Sequence, residues 1–135
     1  MLFSTCMSRK SQGTRAEREL VHQFWDNEWA AFRAAGSGST KYPCPDIIAG
    51  NAARKLAIEV KKTSKDRQYF SSKEVKALRV FSEMFGAECW VGVRFYAEPW
   101  MFLHVDDLNE TRKNYAAPKE LCKSKGVTLE QLIQF

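Results

Sequence analysis

No run in the sequence approaches the roughly 18 consecutive apolar residues that a membrane span needs, and the apolar start MLFSTCM is too short for a signal-peptide core. A soluble, intracellular chain is the expectation. The four cysteines, Cys6, Cys44, Cys89 and Cys122, stand 38, 45 and 33 positions apart, which excludes a CxxC redox pair and zinc-ligand spacing. Reduced and mostly buried thiols fit that compartment. Histidine is scarce as well: His22 lies on a helix flank and His104 near a strand end, 82 positions apart, and both read as surface or satisfied residues rather than a general base. Internal repeats and low-complexity linkers are missing. The 135 residues and 44% hydrophobic composition suit one domain spanning 1–135, with residues 1–8 as an N-terminal extension.

What the sequence does have is positive charge in one place. The net charge is +5 and the pI about 9.1, a balance that attracts polyanions through release of their counterions. Between Arg54 and Arg79 there are nine Lys/Arg against three acids, a local net of +6, so this segment carries more than the whole excess. A charge run of this kind is either a solvated face or a nucleic-acid surface.

Periodicity predicts the elements. Leu20, Val21, Phe24 and Trp25 recur at helical spacing, and Thr14 with Glu17 has the form of a capping box, which places a first helix at about 15–29. AAFRAA reads as a short strand and GSGSTKYPCP as a loop. DIIAG and KLAIEVKK are two strands joined by NAAR. Ser71 and Glu74 repeat the capping box ahead of the stripe Val75, Leu78, Phe81 and Phe85, and Gly86 ends this second helix. CWVGVRF and WMFLHV are two further strands joined by YAEP. The tail is polar from Asp106 until TLEQLIQ, a last short helix. The order α, β, β, β, α, β, β predicts an α/β fold with a central mixed sheet of about five strands flanked by helices.

One hairpin, CPDIIAGNAARKLAIEVKKT, places charge where a core is expected. Strand alternation puts Glu59 and Lys61 on one face, apart from Leu56, Ile58 and Val60, and roughly 7 Å from each other. With NAAR as a four-residue loop, Gly50 pairs with Lys55 and Asp46 falls opposite Glu59. Directly opposed residues have Cβ atoms about 4.5–5.5 Å apart, where like charges destabilise. Either the charged face is simply wet, or a proton, Lys61 or a divalent cation neutralises the pair. A hard ion such as Mg²⁺ suits two carboxylates and often binds phosphate too, and an ammonium beside it could orient a nucleophilic water.

Glu17 precedes Leu20 by three positions, Val21 by four and Phe24 by seven, so it extends the apolar stripe of the first helix toward the sheet. The competing reading is a helix cap at the third helical position.

Pro45-Asp46 followed on the next strand by Glu59-Val60-Lys61 is the PD-(D/E)XK nuclease pattern, which fixes few residues by itself. The blocks GTRAEREL, RAAGS, PDIIAG and AIEVKKT are more specific, and from about Gly13 to Phe95 the chain resembles the archaeal Holliday junction resolvase family. That resemblance implies a restriction-endonuclease-like fold and a homodimeric, Mg²⁺-dependent endonuclease, with Mn²⁺ as a possible substitute. Such an enzyme nicks two strands of a four-way DNA junction symmetrically during recombination and repair, leaving 5′-phosphate and 3′-hydroxyl ends, in the cytoplasm and associated with the nucleoid. It also implies catalytic roles for Glu17, Asp46, Glu59 and Lys61, with Glu17, Asp46 and Glu59 toward the metal. Arg18, Arg33 and Ser37 match positions that contact DNA or support the site. The basic segment carrying Lys62, Lys65 and Arg67 is suited by its charge to phosphate contacts.

Two other readings of the residues stand beside this one: a PD-(D/E)XK nuclease acting on duplex or flap DNA, and a non-catalytic DNA-binding subunit in which the carboxylates are only structural. CWVGVRFYAEPWMF is rich in large apolar residues, so Trp90, Phe95, Trp100 and Phe102 are expected to divide between the core and a dimer surface.

Overall fold

In the computed structural model residues 9–34 and 41–134 are described. The first helix, α1 (Arg9–Asp26), begins earlier than its pattern predicts and ends earlier too. Thr14 therefore lies inside the helix, and Glu17 is no capping residue. The chain turns at Glu28, whose φ is 64°, and Trp29 folds back onto Phe24 with ring centroids 6.0 Å apart. β1 (Ala30–Arg33), β2 (Ile47–Gly50) and β3 (Lys55–Thr63) follow. β4 (Arg67–Ser71) leads into α2 (Ser72–Phe85), and β5 (Glu88–Phe95) and β6 (Trp100–His104) complete the main sheet. The chain ends with β7 (Asn109–Glu110), β8 (Asn114–Pro118), α3 (Lys119–Lys125) and α4 (Leu129–Ile133).

The five-stranded sheet has the order β1-β2-β3-β5-β6, with β3 and β5 parallel and the other neighbours antiparallel. A parallel pair needs a crossover, and the segment through β4 and α2 supplies it. The sequence pattern does not anticipate a second, three-stranded sheet, β4-β8-β7. Its strands have two to five residues and no sustained alternation, so only pairing between distant segments defines them. α3 is likewise new.

Each face of the main sheet carries its own core. Ala16, Leu20 and Phe24 of α1 pack with Ile47, Leu56, Ile58, Val60 and Phe102 on one side, joined by Leu129 and Leu132 of α4. Val75 and Leu78 of α2 pack with Ile48, Ala57, Val91 and Val93 on the other, joined by Phe70 and Ala117 of the second sheet. Gly92 leaves room for the side chains of its two strand neighbours: a Cβ there would stand 2.9 Å from Phe102 Cε1 and 3.1 Å from Val60 Cγ1. The expected apolar dimer surface on β5 and β6 does not form, because Phe95, Trp100 and Phe102 are buried and Trp90 packs against the α1-side core.

The second helix starts as its sequence predicts. Ser71 Oγ accepts from the Glu74 N–H, Glu74 Oε1 accepts from the Ser71 N–H, and Gly86 ends the helix at φ 78°. α4 is capped in the same way by Thr128 and Gln131.

Candidate active site

The hairpin pairs in the expected register, Gly50 with Lys55 and Ile47 with Ile58. Asp46 would be the next partner of Glu59, but it stands one residue outside the strand. Its carbonyl accepts from the Ala34 N–H at 3.0 Å, and its Oδ2 accepts from the Val60 N–H at 3.0 Å. The carboxylate thus takes up a β3 amide beyond the last ladder pair and is held between β1 and β3.

Glu59 and Lys61 leave β3 on the α2 side, in line with buried Ala57. Burial pushes the Glu59 carboxyl up to about 9, reinforced by the negative charges of Asp46 and Glu74 and by a hydrogen bond with Asp46, and opposed by Lys61. Its surroundings therefore favour the protonated form of Glu59, hydrogen-bonded to Asp46. A proton between the two carboxylates would relieve the conflict of like charges. Lys61 Nζ lies 3.0 Å from Glu74 Oε2 and 5.8 Å from the centroid of the buried Phe70 ring.

Glu17 approaches from α1, across the sheet from α2. Burial raises its carboxyl above the ordinary range and the Asp46 charge adds to this, while Arg33, whose Nε lies 3.3 Å from Glu17 Oε1, works in the opposite direction. Among the described residues no three acidic, histidine or cysteine side chains converge into one cation-binding group. The acidic pair is Asp46 and Glu59, and Glu17 stands beside it, engaged with Arg33.

A groove of about 670 Å³ runs between Lys41–Pro45 and the first turns of α2, lined by Glu59 and Glu74 and by Lys41, Lys73 and Lys76. Cys44 also lines it. Burial and the neighbouring Asp46 and Glu59 carboxylates push its thiol up, which disfavours the thiolate.

The other basic positions spread around this centre. Arg18 is exposed on α1, and Lys65 and Arg67 flank the β3–β4 turn. Alternation turns Lys62 away from the Glu59 face. Ser37 and residues 1–8 lie outside the described residues. Cys89 and Cys122 are free and buried, while Cys44 is partly exposed.

A family model described as archaeal Holliday junction resolvase (Hjc) matches residues 8–135. The chain belongs to this resolvase family. A relative named crossover junction endodeoxyribonuclease Hjc from Archaeoglobus fulgidus is 45% identical over 106 residues, 78% of each chain. One of the same name from Sulfolobus acidocaldarius is 32% identical, over 96% of this chain and 91% of its own. A solved structure of the Archaeoglobus fulgidus Hjc, described as a Holliday junction resolvase from an archaeal hyperthermophile, superposes with a TM-score of 0.84 at 38% identity. It covers 89% of this chain and 98% of its own. The mixed five-stranded sheet with flanking helices is accordingly the restriction-endonuclease-like arrangement that the motif implies.

For this resolvase-family chain, reasoning from sequence missed Glu74, Lys73 and Lys76 as residues of the site. Glu74 carried a visible signal, the capping box, but a helix start does not announce which side chain its carboxylate will meet. Lys73 and Lys76 stand three apart on one helix face, a spacing that could have marked them.

Proposed function

We propose that this protein is a crossover junction endodeoxyribonuclease that resolves four-way DNA junctions by divalent-metal-assisted phosphodiester hydrolysis, in recombination and repair. The observation that carries the chemistry is the geometry of the Asp46–Glu59 pair: Asp46 Oδ2 accepts from the Val60 N–H beside Glu59, whose surroundings favour a bound proton, and Lys61 shares the Glu59 strand face. Such a donor set fits a hard cation, because displacing that proton lets both anions face one positive charge. Asp46, Glu59 and the Val60 carbonyl would hold Mg²⁺ or Mn²⁺, with Glu17 contributing through water. When bound, the cation supplies charge stabilisation to the phosphoryl oxygens and acidifies a nearby water. Lys61 orients the attacking water in line with the scissile bond and meets charge that develops on the phosphate.

Junctions occur in any sequence, so selection rests on shape and phosphate position rather than base contacts. The groove lysines, with Arg18, Arg33, Ser37, Lys62, Lys65 and Arg67, supply that phosphate contact, and the 135 residues act as one nuclease domain. A synthetic immobile junction should be nicked at least about tenfold faster than duplex or flap DNA of the same sequence at matched concentration. Equal rates on all three would favour a duplex or flap nuclease instead. Lys65→Ala with Arg67→Ala should weaken binding to every junction sequence alike and flatten the salt dependence by about two in slope. An unchanged slope would remove these residues from the interface.

Two symmetric nicks ask for two sites related by a two-fold axis, as in a homodimer. An apolar surface suited to it lies on α2: Met84 is 85% exposed and Phe85 44%, and with Val80, Phe81, Tyr42 and Pro43 they line a cavity of about 310 Å³. Met84→Asp with Phe85→Asp should convert a dimer to a monomer in sedimentation analysis. A variant that stays dimeric would move the interface elsewhere.

A further inference from the structure

Lysine is a flexible choice for a group that must face a reacting phosphate, since its ammonium swings on a four-carbon stem. Here the ammonium has fixed partners. Lys61 Nζ lies 3.0 Å from Glu74 Oε2, and the Phe70 ring lies 5.8 Å away. The other carboxylate oxygen of Glu74, Oε1, accepts from the Ser71 N–H at 2.9 Å. One carboxylate therefore closes the α2 capping box and grips the site lysine at the same time. An anion in a first helical turn is favoured by the helix dipole, so Glu74 is held both by geometry and by field. It also lines the groove together with Glu59.

We propose that Glu74 is a positioning residue for cleavage: from the capped start of α2 it fixes the Lys61 ammonium on the Glu59 face. The assignment rests on the nuclease reading above. It makes the start of α2, whose Lys73 and Lys76 line the same groove, a structural link between the seated strand and the lysine that serves it. A preorganised lysine reduces the reorganisation left to the transition state, and the position of a group matters steeply to rate.

Glu74→Gln separates the two duties of the carboxylate. Glutamine at the third helical position still accepts from the cap N–H, so the capping box remains, but the charge that holds Lys61 is gone. Single-turnover cleavage of an immobile junction at saturating Mg²⁺ should fall by about tenfold or more, with junction affinity and thermal midpoint unchanged. In a Lys61→Ala background the same substitution should have no further effect, because nothing is left to position. Ser71→Ala removes only the hydroxyl that accepts from the Glu74 N–H and keeps the Ser71 N–H that holds Glu74 Oε1, so it should lower the thermal midpoint while leaving the single-turnover rate as in wild type. A wild-type rate for Glu74→Gln, an equal loss in the Lys61→Ala background, or a matching rate loss in Ser71→Ala would each overturn the assignment. Wild-type protein that nicks no junction, or Glu59→Gln that nicks as well as wild type, would instead sink the nuclease reading itself.

Discussion

Glu59→Gln should reduce cleavage of a four-way junction by on the order of 10³-fold while leaving junction affinity within about twofold. Glutamine matches the volume of the side chain and keeps a hydrogen-bonding partner for Asp46, so β3 and its neighbours lose nothing in packing. The variant lacks the second anion, however, and a neutral amide cannot replace it at a hard cation. Losing several kcal/mol of charge stabilisation in the transition state corresponds to about three powers of ten in rate. Binding should persist, because the phosphate contacts proposed above come from lysines and arginines outside the pair. Radiolabelled junction nicking and an electrophoretic binding assay read the two quantities separately. Wild-type nicking would show that the pair is only structural, and loss of both activities together would point to misfolding, which the thermal midpoint identifies.

The parts of this site that a sequence can disclose are those carried by short-range rules. The loop NAAR and the two-residue period of strands fix the register, and register alone brings Asp46 to Glu59 and Lys61 onto their face. Glu17 depends on a longer inference. The same i, i+3, i+4 spacing serves a cap and a buried stripe, and the observed start of α1 at Arg9 is what separates them. Glu74 was fully visible as a cap and invisible as a partner of Lys61. That pairing depends on how the α2 start sits over β3, a tertiary fact with no local pattern. The second sheet was hidden for a related reason. Gln68 and Ala117, or Phe70 and Tyr115, pair across almost fifty residues, and neither strand is long enough to show a period.

The affinity for Mg²⁺ should rise by about tenfold for each pH unit between pH 6 and pH 8. Glu59 keeps its proton up to about 9 in the metal-free protein, so a cation that binds the pair must displace roughly one proton at every pH below that value. Calorimetric titration in buffers of different ionisation enthalpy counts that proton directly, and a pH-independent affinity with no proton release would contradict the shared-proton pair. The same group sets the sign of the stability profile without metal. Its folded pKa lies above its ordinary value of 4.5, so the native state binds more protons than the unfolded chain in the window between 4.5 and about 9. Metal-free stability should consequently fall as pH rises through that window, with the full penalty reached above about 9, and Mg²⁺ should raise the thermal midpoint more at pH 8 than at pH 5. An electrostatic penalty carried at Glu59 and relieved by the cation would tie the burial of this carboxylate directly to the proposed cleavage.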